Sequence, residues 1–169
     1  MGVTIHFEGQ LIDESAYRSL IDVTSRFALE QGWLTEPIEL SLTKLSRVRD
    51  EKDWDYSGPV KGMVVYPHED CEPMRLEFDC NLFIQQYVKT QFAGVPIHLK
   101  VVELLRAIRP FFSEFKVEDE GEFWQSGDVN RLEEHMRSIQ NVIEAEIKKN
   151  PSSRLKIKSP NGRIIDLIT

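Results

Sequence analysis

The stretch "DESAYRSLIDVTSRFALEQG", residues 13 to 32, constrains the fold most. Asp13 is suited to capping a helix N-terminus, and Gly32 to the position just past a helix C-terminus. Between them Tyr17, Leu20, Ile21, Thr24, Phe27 and Ala28 recur at i, i+3 and i+4. The spacing predicts a helix over 14–31 with one apolar face. Such a helix has to bury that face against another layer, and the flanking sequence supplies strands for it.

Val3, Ile5 and Phe7 alternate with Thr4, His6 and Glu8, a half-buried strand. "IELSLTKLSRVR" alternates through Ile38, Leu40 and Leu42 and loses phase near Lys44 and Leu45, which predicts a strand with a bulge or bend. "DEKDWDYSGP", residues 50 to 59, reads as a surface loop. Gly62–Tyr66 and Met74–Phe78 read as a β-hairpin joined through Pro67 to Pro73. Residues 81 to 92 suit either a short helix or a strand. Pro96 opens a second helix with Ile97, Val101, Leu104, Leu105 and Ile108 on its buried face, and Pro110 ends or kinks it. "FKVED", residues 115 to 119, is a further strand. A third helix starts near Asp128, with Leu132, Met136, Ile139, Ile143 and Ile147 facing inward, and stops at Asn150-Pro151. Asn161-Gly162 supplies the positive φ of a tight turn in a C-terminal hairpin.

Helices and strands do not alternate regularly, which disfavours a doubly wound sheet. The expected fold class is α+β: residues 1–169 as a single domain, with a largely antiparallel or mixed sheet of six to seven strands and three main helices on one face.

Charge narrows the function classes. The chain has 169 residues and a net charge of −7. Residues 148–169 hold six cations against Asp166, a net +5; the other 15 cations and 27 acids give residues 1–147 a net −12. Such a surface repels phosphate, so no nucleic-acid partner is expected, and a basic protein is the better match. No apolar run approaches the roughly 20 residues of a membrane span, and no signal peptide is visible, so a cytoplasmic location is expected. Cys71 and Cys80 have no C-x-x-C spacing. A strand between them would hold them about 30 Å apart, so both are expected to stay reduced.

"YPHEDCEP", residues 66 to 73, has the residue types of a metal site or a cysteine nucleophile. It is one local cluster rather than two spaced ligand pairs, and acids beside a thiol disfavour the thiolate. A rigid acidic hairpin tip is the better reading. "EDEGEFW", residues 118 to 124, lacks a calcium-loop register. With "DEKDWDY" these stretches interleave acids and aromatics, a pattern of loops that attract and anchor a basic partner. The candidate contact residues are Trp54, Tyr56, His68, Glu69, Asp70, Glu72, Glu118, Asp119, Glu120, Glu122 and Trp124. The plainer reading is that Trp54, Tyr56, Phe123 and Trp124 pin solvated loops to the core. No cofactor and no metal are expected.

The leading expectation is therefore a protein-binding module of inhibitor or immunity type. One alternative is an enzyme using the carboxylates of Glu69, Asp70, Glu118, Asp119 and Glu120, with or without a divalent metal. The other is a structural or regulatory homo-oligomer joined through sheet edges.

Overall fold

Alternating apolar residues in the first strand give it one face to bury, and two helices cover that face. In the computed structural model, which describes residues 2–168 with side chains through Ile165, the chain begins β1 (Thr4–Leu11), α1 (Glu14–Gln31), β2 (Leu34–Leu45), β3 (Val48–Arg49), β4 (Lys52–Asp53) and β5 (Tyr56–Tyr66). It continues β6 (Met74–Phe78), β7 (Phe83–Lys89), α2 (Val95–Ile108) and, after a 3-10 turn, β8 (Phe112–Asp119). It ends with α3 (Phe123–Ser126), α4 (Val129–Lys149), β9 (Arg154–Lys158) and β10 (Ile164–Ile168). The molecule is a single α+β domain.

Strands β7, β1 and β8 form one antiparallel sheet in that order, and β2, β5 and β6 form another. A tight turn joins β6 to β7, closed by the Asp79 N–H on the Phe83 carbonyl, but no ladder links the two strands. Two small two-stranded sheets, β3–β4 and β9–β10, complete the set.

Ile5, Phe7 and Leu11 of β1 pack with Ile84, Val88, Met63, Val65 and Leu76 against Leu20 and Ala28 of α1 and Val101, Leu104, Leu105 and Ile108 of α2. Each fully buried aliphatic side chain contributes roughly 1.5–3 kcal/mol, so this layer rather than any ion pair dominates stability. Helix α4 sits apart from it, docking Leu132 and Met136 onto Val3. Asp13 caps α1 by accepting from the Ala16 N–H at 2.8 Å, and Asp128 caps α4 by accepting from Asn130.

Among the described residues, ten strands and four α-helices replace the expected six or seven strands and three helices, and the sheet is divided. Three local causes account for this. Asp50 and Glu51 adopt positive φ (50° and 61°) without a glycine, making a hairpin of what reads as a loop. The ambiguous 81–92 segment becomes β7 because Ile84 and Val88 are needed in the core beside β1. Helix α3 is one turn, and its start is fixed by the Asp119 carboxylate accepting from the Trp124 N–H rather than by helix propensity. The phase slip of the second strand is a register shift between Leu40 and Thr43. At Gly62, with φ 149°, a Cβ would lie 1.7 Å from the Leu76 carbonyl oxygen, so only glycine lets β5 approach β6.

A string of buried polar groups crosses the core. Asp119 Oδ2 lies 3.0 Å from His98 Nε2, and His98 Nδ1 lies 2.7 Å from the Thr90 hydroxyl. The Thr90 N–H donates to the Val3 carbonyl, and the Val3 N–H donates to Gln91, whose amide reaches the Met136 carbonyl at 3.0 Å. Asp119 also accepts from the N–H groups of Gly121 and Trp124. Since an ionised carboxylate only accepts, His98 Nε2 carries a proton. The string thus ties β8, α2, β1 and α4 together and sets the path of residues 119–124.

Desolvation pushes the Asp119 carboxyl upward, but the bond from His98, its charge and the two backbone donors outweigh this and hold it below the usual range. Its folded-state pKa is therefore depressed, so its contribution is complete above the unfolded value of about 4 and fades as pH falls through the folded value. Asp119→Asn, which breaks a buried pair, is expected to cost about 3 kcal/mol in urea unfolding at pH 7 and to remove part of the acid destabilisation. A loss below about 1 kcal/mol would show that the string does not hold these elements together.

Candidate functional site

With odd positions of β1 turned to the helices, its even positions form a polar face. The register places Tyr87, His6 and Glu118 in one row across β7, β1 and β8, and Gln85, Glu8 and Lys116 in the next. This face is one wall of a cleft of about 980 Å³. The other walls are the β2–β3 corner from Lys44 to Val48, Asp53 and Asp55, Arg75 and Glu77 of β6, and Asn161 and Arg163 of the C-terminal hairpin. Most charges around it are paired within the molecule: Lys44–Asp55 at 3.4 Å, Arg75–Glu77 at 3.4 Å and Lys116–Glu118 at 2.9 Å. Lys116 holds the Glu118 carboxyl below its usual range through a hydrogen bond and its charge.

His6 and Tyr87 also border a second cavity of about 350 Å³, with Glu120 and His135. His6 Nε2 lies 3.2 Å from Glu120 Oε1, and its ring centroid lies 5.8 Å from that of Tyr87. A histidine oriented by a carboxylate between two cavities has part of the geometry of an acid–base pair.

The structure distributes the sequence-predicted residues over three environments. In the first, Trp54 and Tyr56 are half-buried around Arg47. The Arg47 guanidinium lies 4.1 Å from the Trp54 ring and 5.1 Å from the Tyr56 ring and pairs with buried Asp79 at 2.8 Å. Arg49 covers Trp54 at 3.5 Å. The Tyr56 hydroxyl donates to the Pro59 carbonyl. The adjacent turn residues Asp50, Glu51 and Asp53 are exposed, and among the described residues they form no ion pair.

The second environment is the 66–73 tip, which meets the protein's own cationic hairpin. Asp70 pairs with Lys156 at 2.9 Å, and that hydrogen bond holds its carboxyl below the usual range. Lys158 donates to the Glu69 carbonyl, and exposed His68 accepts from the Asp70 N–H. Glu72 is buried, accepting from the N–H groups of Lys89 and Ile164 at 3.1 and 3.0 Å and from Arg163 at 2.9 Å.

The third is the 118–124 loop, where every acid has a basic neighbour. Glu118 meets Lys116, Asp119 meets His98, Glu120 meets His6, and Glu122 meets His135 at 2.6 Å. Trp124 packs its ring against Phe115, with Arg106 and Arg109 at 5.6 and 5.9 Å. Glu118 lines the large cleft and Glu120 the small one, whereas neither cavity is lined by His68, Glu69 or Asp70. Residues 66–73 reach the cleft only through Arg163, the partner of Glu72.

Sequence reasoning passed over His6, Tyr87, Arg47 and Arg163. His6 was legible as a polar position of the first strand, and Arg163 through the charge asymmetry. Nothing local marks Arg47 as a buried cation. Among the described residues no group of three or more His, Cys, Asp or Glu side chains is placed to hold a metal ion, and no helix is long and apolar enough to cross a membrane. Compared with protein-family models, with curated proteins and with solved structures, the chain has no match.

Both cysteines are free thiols. Burial, and then the charge of Glu72, push the Cys71 thiol up to about 12, and its Sγ donates to the Lys89 carbonyl. Iodoacetamide at pH 8 is therefore expected to alkylate exposed Cys80 in the native protein and Cys71 only after unfolding, read by mass spectrometry. Rapid native labelling of Cys71 would contradict its placement.

Proposed function

We propose that the protein is a binding module, of inhibitor or immunity type, that captures a basic protein with the β3–β4 tip and the cleft beside it. One observation carries this reading. Internal cations answer the acids of the 118–124 loop and Asp70 and Glu72 of the 66–73 loop, while among the described residues Asp50, Glu51 and Asp53 are exposed and form no ion pair. The turn also keeps two non-glycine residues at positive φ, strain on the order of 1–3 kcal/mol each that is more often tolerated where a surface is used. Asp53 and Val48 line the cleft, so a partner drawn to the tip would meet Glu8 and Glu118 within it. Unpaired rim acids of this kind raise the encounter rate with a basic surface and repel nucleic acid. Two free thiols and a net negative surface suit a reducing cytoplasm.

The carboxylate enzyme has less support, because Glu69 and Asp70 line neither cavity that Glu118 and Glu120 border. Edge-to-edge assembly is disfavoured at β2, where Pro37 and the irregularity between Leu40 and Thr43 obstruct strand addition.

The test compares the native chain with the triple variant Asp50→Lys, Glu51→Lys, Asp53→Lys in affinity capture from lysate at low and high salt. The native chain is expected to retain a basic protein that elutes as salt rises, and the variant to bind it at least tenfold more weakly with an unchanged circular dichroism spectrum. Capture of nothing at low salt, or equal capture by both chains, would reject the reading.

A further inference from the structure

Arg163 occupies a fully formed guanidinium site. Its Nη1 donates to Glu72 Oε2 at 2.9 Å and to the Tyr87 carbonyl at 2.6 Å, its Nη2 donates to Gln86 Oε1 at 2.8 Å, and its Cζ lies 3.8 Å from the centroid of the Tyr87 ring. Three acceptors in fork geometry beside an aromatic face suit arginine and not lysine, whose ammonium is neither planar nor able to stack. Glu72 is 1% exposed, so the carboxylate is held ready rather than drawn in from solvent.

The occupant comes from an element held to the rest of the chain chiefly by polar contacts. Among the described residues β9 and β10 pair only with each other, and an isolated two-stranded hairpin is marginal in water. Leu155 and Ile165 stay 40% and 45% exposed, and Ile164 is the hairpin's buried apolar side chain among those described. Among the described residues its other attachments are mostly polar: Lys156 to Asp70 and over the Phe92 ring, Lys158 to the Glu69 carbonyl, Arg75 to the Asn161 carbonyl, Lys89 Nζ to the Ile164 carbonyl and the Ile164 N–H to Glu72.

We propose that Glu72, Gln86 and Tyr87 form an arginine-recognition pocket that Arg163 fills in cis, and that the hairpin swings away when an arginine of the basic partner replaces it. The pocket itself stands on its geometry alone; the exchange with a partner rests on the binding-module reading above. Exchange is favoured over simple opening, because an empty pocket would leave a buried carboxylate without its cation. The device also keeps the pocket closed to weak competitors, since an incoming arginine is penalised by the fraction of molecules already closed.

The full-length Arg163→Ala chain, labelled with nitrogen-15, is titrated with N-acetyl-arginine amide and followed at the Tyr87 and Lys89 amides. Saturable shifts are expected, with half-saturation at least tenfold lower than for N-acetyl-lysine amide, and they should be absent in the native chain and in Arg163→Ala combined with Glu72→Gln. No response, or equal responses to the two amides, would overturn the pocket. Gly162→Ala tests release with Arg163 retained, because Gly162 has φ 86° and an added Cβ would lie 2.7 Å from Pro73 Cγ. Hydrogen exchange at the Ile164 amide should rise at least tenfold while the Val65 and Leu76 amides stay unchanged. Exchange equal to that of the native chain would overturn a releasable hairpin. For the partner, Arg163→Ala should tighten capture about tenfold, the gain expected from removing a closed state favoured ~10:1. Unchanged capture would overturn the exchange, whereas a chain that captures nothing rejects the binding reading and leaves the arginine titration standing.

Discussion

The contact of Asp119 with His98 is the interaction on which the arrangement of loops and helices depends. Apolar burial supplies most of the stability, but it is non-directional and would tolerate several positions of α2 and α4 over the sheet. The polar string is directional: each buried group has its partner, and moving any element by an ångström or two would leave a donor or acceptor unpaired in a dry interior. It runs from Met136 through Gln91, Val3, Thr90 and His98 to Asp119, so β1, β8, α2 and α4 are registered against one another. The same Asp119 receives the Gly121 and Trp124 N–H groups and thereby forms α3, whose four residues are too few to be helical unaided.

With the helices fixed on one face, the polar face of the central sheet is left to form the cleft. Its electrostatics follow from pairing more than from composition. A net charge of −12 on residues 1–147 suggests a broadly acidic surface, yet much of the charge of the 66–73 and 118–124 loops is answered internally. The +5 segment at the C-terminus is in part the counter-charge of the 66–73 tip, folded back upon it. A basic partner matched to that tip by composition therefore already exists within the chain, and the acids left without a cation at the β3–β4 turn become the more informative ones.

Much of the architecture was legible in the sequence because local chemistry dictates it. Asp13 and Gly32 bound α1 where capping rules place its ends, Asp128 caps α4, and Asn161-Gly162 turns the last hairpin. The candidate site was legible only in pieces. Residue types singled out Trp54, Glu72, Asp119 and Trp124, but Trp54 holds two arginines, Glu72 holds a third, and Asp119 is a buried acceptor. Identity and spacing do not say whether an acid will find a cation, since that cation can come from a residue 91 positions away, as Arg163 does for Glu72.

The sequence by itself determined the fold class, the ends of the three longer helices and the inward face of the first strand, all set by periodicity, caps and turn chemistry within a few residues. Only the tertiary structure decided that β6 and β7 carry no ladder between them, that residues 50–53 form a hairpin, that His98 and Asp119 meet in the core, and that the acidic tip is covered by the C-terminal hairpin. Each of these depends on groups far apart in the chain satisfying one another's charge or hydrogen-bonding needs, which no local pattern encodes.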